Sequence, residues 1–494
     1  MESLSETEWD VVINGTGLQQ SLLALALSRS GKNILHVDRD ECYGGSEAAL
    51  SLQDADEWVE KHKEPGTNSV FAAAEVKKSD DGLSSSRAYS LALAPQLIHT
   101  RSDLLAKLVS SKAFRQLEFL AVGSFYVYQQ AADAESKPTL NRIPSTREDV
   151  FVNKVISMKS KRGLMKFLKF VLDYKAEEQL NVWTPHKDAP LSEFLASEFK
   201  LDEMLQSYIV TLTMSLDGKV SVEDGLNAIS RHLTSMGVFG PGFAAVYPKW
   251  GGLSEVAQVG CRGGAVGGAI YILGTGVDKV ETTEDGQPLS VTLTNDLTVK
   301  TKSFIQGSAE VDSEATTLSR LTAIVDSTLS NLFEVLVEGA PTPSASVVAF
   351  PAGSLCSADG NPSSAPIYAM LHSGDTGECP SSQCAVYLST IRTSSSKELL
   401  EKALDELLRA AGDETPAGKP LYRLSYEHSG VKHPSFATQG KTGTFSALPL
   451  DLAFNDSTLR PVEQAWKFVV GKTDEEYMVF EDREGVNDED DRFD

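Results

Sequence analysis

The chain has 494 residues, 41% of them hydrophobic and 23% charged, which is the composition of a globular protein of two or three domains and excludes wholesale disorder or a fibrous repeat. Asp and Glu outnumber Lys and Arg by 69 to 45, and the net charge of −24 disfavours nucleic acid and anionic membrane as partners of the whole chain. The acidic start and the short apolar runs predict a cytoplasmic protein without a membrane span.

A βαβ unit opens the chain. Residues 11–13 are a β-branched run that stops at a Gly-Thr-Gly triplet, and residues 18–30 then carry apolar side chains at helical spacing. Gly31 follows as a helix terminator, and residues 33–37 form a second strand that ends at Asp38. This order predicts a parallel sheet at the start of an α/β domain.

The middle of the chain changes to helical patterns. Apolar residues recur at helical spacing over four segments, which are residues 147–175, 191–199, 201–216 and 222–235. We therefore predict an α/β domain I of residues 1–140 and 241–460, and a smaller, all-helical domain II inserted at residues 141–240. Residues 461–494 are predicted to form an acidic C-terminal tail.

Two glycines and an acid in the opening unit have the spacing of a dinucleotide-binding motif. Gly15 and Gly17 take the first two places of G-x-G-x-x-G, and Asp38 follows where an acid meets the ribose in such folds. The third place is Gln20, whose side chain either separates the helix from the strand or fills the place of the phosphate. We expect a vestigial motif that has lost its flavin and holds no cofactor, with retained flavin binding as the alternative.

The remaining residues do not resemble a reaction centre. The eight histidines are scattered, and the five cysteines lack the spacing of a zinc or redox site, which favours free thiols. Asp375 begins a single Asp-Thr-Gly triplet, whereas an aspartic protease needs two carboxylates at one site. The pattern disfavours an enzyme with its own nucleophile or metal ion.

Two further stretches are unusual. Residues 147–175 carry eight basic side chains against three acids, which suits either a solvated helix face or docking onto an acidic partner. Residues 247–276 are rich in glycine, and Glu255, Gln258 and Arg262 fall on one face of a helix within them. The glycines there serve either tight packing alone or a scaffold for that polar face.

Five segments together resemble the superfamily of Rab GDP dissociation inhibitors and Rab escort proteins. They are residues 10–20 (DVVINGTGLQQ), 31–45 (GKNILHVDRDECYGG), 166–170 (KFLKF), Gly225-Leu226, and 247–251 (YPKWG) with the polar spacing that follows. The resemblance is strong from residue 10 to about 275 and fades beyond. The sequence departs from the family's Tyr-Tyr-Gly-Gly at Cys42, which puts the geometry of that segment in doubt.

The resemblance implies a flavoprotein-like (FAD/NAD(P)-binding-like) α/β domain that carries no flavin, with a helical domain inserted in it. It also implies binding of GDP-bound Rab GTPases on domain I and shelter of the geranylgeranyl lipid in domain II. By motif, the Rab-binding platform would comprise Tyr43, Glu255, Gln258, Arg262 and Ile272.

Two residues favour the escort branch of this superfamily. Phe151 and Arg162 resemble the escort signature that binds the Rab geranylgeranyltransferase α/β heterodimer, although a phenylalanine is also often a core residue. The resemblance thus implies a non-catalytic accessory of the transferase that presents Rabs for prenylation and shuttles from cytoplasm to membranes, touching them only transiently. The alternatives are a Rab GDP dissociation inhibitor that recycles prenylated Rabs and a flavin-dependent oxidoreductase.

Overall fold

The protein is described by a computed structural model. It covers residues 2–64, 69–131, 136–145, 147–153, 156–281, 287–310, 314–412, 417–472 and 474–481. Two large β-sheets and the helices packed on them make up the fold. None of the helices in these ranges is long and apolar enough to span a bilayer.

The first sheet has eight strands and contains the predicted βαβ opening. Its strands are β1 Glu8–Asn14, β2 Ile34–Val37, β10 Ile270–Ile272, β11 Val277–Glu281, β12 Leu289–Leu293, β13 Thr298–Gly307, β19 Phe436–Gln439 and β20 Thr442–Phe445. β1 lies between β2 and β13, parallel to both, and β10 continues the parallel order beyond β2. Both faces of β1 are buried, because Val11 and Ile13 pack against helices while Val12 joins an apolar cluster on the other side.

The second sheet has ten strands and is mostly antiparallel. They are β4 Phe71–Lys78, β6 Ile98–His99, β7 Phe119–Gln129, β8 Thr139–Arg142, β9 Ala245–Pro248, β14 Thr316–Val325, β15 Ala345–Phe350, β16 Ile367–Ser373, β17 Cys384–Ile391 and β18 Pro420–Gly430. A short pair, β3 Ala49–Leu50 and β5 Leu91–Ala92, stands apart. Successive residues alternate between the two faces, so that Val347 packs toward the helical insertion and Val348 toward a late amphipathic helix.

The helices fall into three groups around these sheets. They are α1 Glu2–Glu6, α2 Leu18–Leu27, α3 Leu52–His62, α4 Asp103–Ser110, α5 Arg147–Val152, α6 Met158–Leu172, α7 Glu177–Trp183, α8 Leu191–Phe199, α9 Glu203–Thr213, α10 Val222–Ser235, α11 Leu253–Val266, α12 Ser396–Ala411 and α13 Leu459–Val470. α2, α11 and α13 pack together on the first sheet, and α12 covers one face of the second. Helices α6, α8, α9 and α10 share a core with the other face of the second sheet. The predicted fold class, an α/β domain with a helical insertion, is thereby confirmed.

Glycines let α11 lie unusually close to α2. A Cβ atom built on Gly260 would come 2.7 Å from the carbonyl oxygen of Ser21, and one on Gly263 would come 2.7 Å from a methyl group of Leu25. No larger side chain fits at either position, so the glycines serve tight packing, and the packed helix can at the same time act as a scaffold for the polar face. Glu255, Gln258 and Arg262 lie off this packed stripe and are half-buried or exposed.

Two local predictions differ from the structure. The helical stretch 147–175 is interrupted, and α6 starts afresh where the Ser157 hydroxyl accepts a hydrogen bond from the Ser160 backbone N–H. Residues 461–470, predicted as the start of an acidic tail, belong to α13, where Trp466 is buried against α2 and its neighbours. Apolar residues recur at helical spacing in α13, so one face of this helix is buried even though acidic residues follow it in the sequence. The tail predicted for residues 482–494 lies outside the described residues.

Candidate functional site

The Gly-Thr-Gly loop joins β1 to α2 as the motif predicts. Gly15 has a φ of 94°, a conformation that favours glycine. The Asp38 carboxylate, at the end of β2, accepts hydrogen bonds from the backbone N–H and the hydroxyl of Thr16, both at 2.6 Å, and from the Asp40 backbone N–H at 2.9 Å. Burial nevertheless raises the pKa of Asp38. This acid is therefore engaged with the loop of its own chain and not presented to a ribose.

Gln20 folds its side chain over the loop. Cβ atoms built on Gly15, Gly17 and Gly307 would come 3.3, 3.0 and 2.6 Å from its carboxamide atoms. The carboxamide thus lies among the glycines that a dinucleotide pyrophosphate would approach. Of the two outcomes predicted for this position, this placement favours filling of the phosphate place.

A buried carboxyl stands beside the same helix end. Glu47 is 3% exposed, its Oε1 accepts a hydrogen bond from the Ser46 hydroxyl at 2.7 Å, and the Leu18 backbone N–H at the start of α2 is a further donor. Burial raises the pKa of Glu47 to about 7. With Gln20 over the glycines and Glu47 at the helix N-terminus, the residues present do not fit a flavin pyrophosphate.

Three of the predicted platform residues come together where the loop after β2 meets α11. Burial raises the pKa of the Tyr43 phenol and of the Glu255 carboxyl, and the Arg262 guanidinium opposes both shifts, so both groups lie within electrostatic reach of Arg262. Arg262 is exposed and donates a hydrogen bond to the Gln116 side chain at 3.3 Å. Gln258, on the same face of α11, is half-buried.

Ile272 is not part of this group. It packs with the apolar cluster on the far face of β10, whereas its neighbour Tyr271 turns toward α11 and interacts with Cys261. Successive side chains of a strand point to opposite faces of the sheet. Ile272, the residue that the motif assigns to the platform, therefore lies on the opposite face from Tyr271 and α11. The sequence analysis did not single out Tyr271, whose pKa is raised by burial and by its neighbours Cys261 and Tyr43, so Tyr271 lies within electrostatic reach of Tyr43.

An exposed tryptophan stands at the start of α11. Trp250 is 51% exposed. Its backbone has a φ of 70°, in the left-handed region that is uncommon for residues other than glycine. Its backbone N–H donates to the Thr376 carbonyl at 2.8 Å, and its own carbonyl accepts from the Ser90 hydroxyl at 3.0 Å. Lys249, which is ion-paired to Glu118 at 3.0 Å, lies 5.1 Å from the indole ring. The sequence signal for this residue is a tryptophan between Pro-Lys and Gly-Gly.

A buried acid, Glu378, forms hydrogen bonds with the strand that leads to Trp250. Glu378 lies within the core, and its Oε1 accepts a hydrogen bond from the Tyr247 hydroxyl at 2.6 Å. Its Oε2 accepts one from the Tyr387 hydroxyl at 2.8 Å and lies 2.6 Å from His372 Nδ1. Burial raises the pKa of both tyrosines well above the usual value. The cluster ties β9, which precedes α11, to β16 and β17 of the same sheet, over more than a hundred residues of sequence.

The helical insertion encloses an apolar cavity of about 240 Å³. It lies between the second sheet and helices α6, α9 and α10, and its walls include Phe125, Leu164, Leu168, Tyr208, Leu212 and Leu233. The residues of this cavity were not predicted, because the sequence shows only that these side chains are apolar and not which ones border an empty space.

Phe151 and Arg162 are both on the surface. Phe151 is 61% exposed, so its interpretation as a core residue is wrong, and its backbone carbonyl accepts a hydrogen bond from Lys161 Nζ at 2.7 Å. That bond links α5 to α6, the helix that carries Arg162. Asp149 of α5 is held in turn by a bidentate ion pair with Arg142 at 2.6 Å.

The described residues include neither a metal-binding cluster nor a disulfide. Among the described residues there is no cluster of His, Cys, Asp and Glu that could hold a metal ion, and the five cysteines are free. His36, inside β2, is fully buried, with its Nε2 2.6 Å from the Gly15 carbonyl. The structure therefore offers three surfaces suited to binding a protein or an apolar ligand. They are the polar group at α11, the apolar cavity of the helical insertion, and the exposed Phe151 on α5.

Comparison with known proteins agrees with this geometry. The sequence model of the family described as GDP dissociation inhibitor matches residues 5–332. A Saccharomyces cerevisiae protein named Rab proteins geranylgeranyltransferase component A is 32% identical over 83% of this chain and 66% of its own length. A Candida albicans protein of the same name is 30% identical over 82% of this chain and 63% of its own length. The chain thus spans slightly less than two thirds of these relatives.

A solved structure gives the same fold. The crystal structure of a Rab GDI from Plasmodium falciparum superposes with a TM-score of 0.67, covering 94% of this chain and 98% of that one. Its sequence is 19% identical, so the similarity concerns the fold alone.

Proposed function

The chain belongs to the GDP dissociation inhibitor family, and on that premise we propose that it is a Rab escort protein. In this role it binds a GDP-bound Rab GTPase, presents it to the Rab geranylgeranyltransferase α/β heterodimer, and carries the prenylated product through the cytoplasm to membranes. The chain itself is a non-catalytic accessory, and catalysis belongs to the transferase. The names of the two yeast relatives, component A of that transferase, support this reading.

The Rab-binding surface is proposed at the meeting of Tyr43 with α11. Glu255 and Arg262 provide opposite charges on a helix that cannot shift, because its glycine stripe is in contact with α2. A rigid scaffold with charged groups of both signs suits recognition of a folded protein surface. Ile272 lies on the other face of β10, but β10 is an edge strand of the sheet, and we keep Ile272 as a proposed Rab contact at that edge.

The lipid is proposed to enter the apolar cavity of the helical insertion. A C20 isoprenoid exposed to water costs on the order of 10 kcal/mol relative to an apolar environment, at about 0.8 kcal/mol per buried CH₂. The cavity walls, such as Leu168 on α6 and Leu212 on α9, are aliphatic and aromatic, which supports a hydrocarbon ligand. A chain that shelters this lipid keeps the prenylated Rab in solution.

The observation that carries the escort function is the exposure of Phe151. A phenylalanine with 61% of its surface in water, on a short helix held by Lys161, has the features of an interface anchor. Arg162 and the other basic residues of α6 favour an acidic partner surface. We assign this surface to the transferase, and we propose that no flavin is required, since Gln20 lies in the phosphate place.

An in vitro prenylation reaction tests the proposal. With Rab-GDP, geranylgeranyl diphosphate and limiting transferase, the chain is expected to start prenylation, and Phe151→Ala to slow it at least tenfold without changing Rab binding. Phe239→Ala, which removes another phenylalanine that is 58% exposed, is the matched control. Undiminished prenylation with Phe151→Ala contradicts the escort function. Extraction of prenylated Rab from membranes without any stimulation of prenylation supports the alternative, a recycling Rab GDP dissociation inhibitor.

A further inference from the structure

An open cleft of about 990 Å³ lies over the edge of the first sheet. It runs from the Gly-Thr-Gly loop past the loop after β2 to α3, and it ends against His428 of β18. Gln20 and Glu47 close it only where a pyrophosphate would lie. The rest of the cleft remains large enough to hold a small molecule.

The charges along this cleft are unsuited to an anionic ligand. Five exposed acids line it, and these are Asp40, Glu41, Asp54, Glu57 and Asp278. Two cationic side chains oppose them, Arg39 and Lys61, and Lys61 is already 3.8 Å from the Asp40 carboxylate. Such a concentration of one sign of charge repels nucleotides and attracts cations.

An aromatic wall faces these acids. Trp58 of α3 is half-buried, with its ring centroid 4.4 Å from that of His62 and 5.0 Å from that of Phe71. Phe71 in turn lies 4.4 Å from His428, and all four rings line the cleft. Burial lowers the pKa of both histidines, which are therefore neutral near pH 7, so they add no positive charge. Aromatic faces beside carboxylates bind organic cations well.

Two deeply buried polar atoms point to a ligand independently of the acids. Glu47 and His428 are each 3% exposed and line the cleft, yet Glu47 Oε2 and His428 Nδ1 have no hydrogen-bond partner among the described residues. Buried polar atoms are rarely left unsatisfied in proteins, because each costs free energy. A donor that enters the cleft from solvent would satisfy the Glu47 carboxylate.

From these observations we propose that the cleft binds a small organic cation of the linear polyamine class. Its ammonium groups would pair with Glu41, Glu57 and the other acids, its methylene chain would lie along Trp58, and one ammonium group would donate to Glu47. The cleft has thus exchanged the anion preference of a dinucleotide site for a cation preference. This proposal does not depend on the proposed binding of Rab and lipid. The lipid cavity lies elsewhere in the fold, and the platform lies on the α11 side of the loop after β2, which also borders the cleft.

Titration calorimetry on the full chain with spermidine, at constant ionic strength of about 0.15 M, tests this site. Binding is expected, and the charge reversals Glu41→Lys and Glu57→Lys together should weaken it at least tenfold. The control is Glu60→Lys with Glu64→Lys, two exposed acids on and after α3 that do not line the cleft. Glu47→Gln, which keeps the shape of the side chain, should weaken binding severalfold.

Four results would overturn the proposal. The first is no detectable heat with spermidine, and the second is equal binding to the cleft and the control variants, which would indicate unspecific attraction to an acidic protein. The third is tighter binding of FAD or ADP than of spermidine. Mg²⁺ is titrated in parallel, and displacement of spermidine by equimolar Mg²⁺ would reduce the site to an unspecific acidic surface.

Discussion

The carboxamide of Gln20 lies directly against Gly307 at the end of β13. A methyl group on Gly307 would come 2.6 Å from Gln20 Nε2, and Gln20 supplies both of the atoms that such a methyl group would meet within 4 Å. The two residues are 287 positions apart, and their contact closes the place where the family's scaffold would otherwise admit a phosphate.

Gly307→Ala should therefore displace the Gln20 carboxamide at a cost of less than about 1 kcal/mol, because the obstructing atom is the end of a flexible side chain that borders the open cleft. The same substitution in a Gln20→Ala background should be close to neutral, since the obstacle is gone. Urea unfolding of the four proteins of this double-mutant cycle measures the coupling. A cost of Gly307→Ala that is independent of residue 20 would contradict the packing described.

The buried Glu47 carboxyl predicts a pH dependence of stability. Its pKa of about 7 in the folded state exceeds the usual 4.5, so the folded state binds the proton more tightly than the unfolded state. Stability contributed by this group is complete below about pH 4.5 and is lost as the pH rises through 7, by up to roughly 3 kcal/mol. Glu47→Gln should remove this loss, so that the variant gains stability over the parent protein between pH 5 and pH 8. Glu60→Gln, an exposed acid of α3, should show no such gain.

Trp250→Ala should weaken binding of a GDP-bound Rab at least tenfold. The indole is half-exposed, its backbone is held in a conformation unusual for a tryptophan, and it stands beside Lys249 at the start of the platform helix. Because about half of the indole is buried and packs on Gly377, the melting temperature should also fall, by about 2–4 °C, and the titration is made well below it. Val335→Ala, at a residue 47% exposed elsewhere, is the control in the same binding titration. Unchanged affinity would remove Trp250 from the binding surface.

Leu212→Trp should separate lipid binding from protein binding. Leu212 is half-buried and lines the apolar cavity, so the larger indole would fill part of the space. Affinity for prenylated Rab should fall at least tenfold, whereas affinity for the unprenylated Rab should not change. Leu180→Trp, on the exposed face of α7, is the control for the added bulk. Equal losses for both forms of Rab would mean that the cavity does not hold the lipid.

Local sequence patterns were sufficient to predict those helices and strands whose ends are marked by glycines, N-cap residues or a clear change of apolar spacing. The strand, glycine turn and helix at residues 8–27 follow from β-branched residues, a Gly-Thr-Gly triplet and a helical period, and the predicted spans 191–199 and 222–235 coincide with α8 and α10. The prediction at 147–175 was too long because the break before Ser157 has no glycine or proline to mark it. Residues 461–470 were assigned to the tail because acids follow them closely, although their own period is that of a buried helix.

The sequence by itself determined the βαβ opening, the helical insertion and the family, because each rests on residues near one another in the chain or on motifs of fixed spacing. Only the tertiary structure decided that the Gln20 carboxamide lies among Gly15, Gly17 and Gly307, and that Tyr271 and not Ile272 turns toward Tyr43. It also decided that Phe151 is exposed, and which side chains enclose the cavity. The reason is physical. Which face of an element is buried, and against what, depends on partners brought together from distant parts of the chain, and their packing has no local signature.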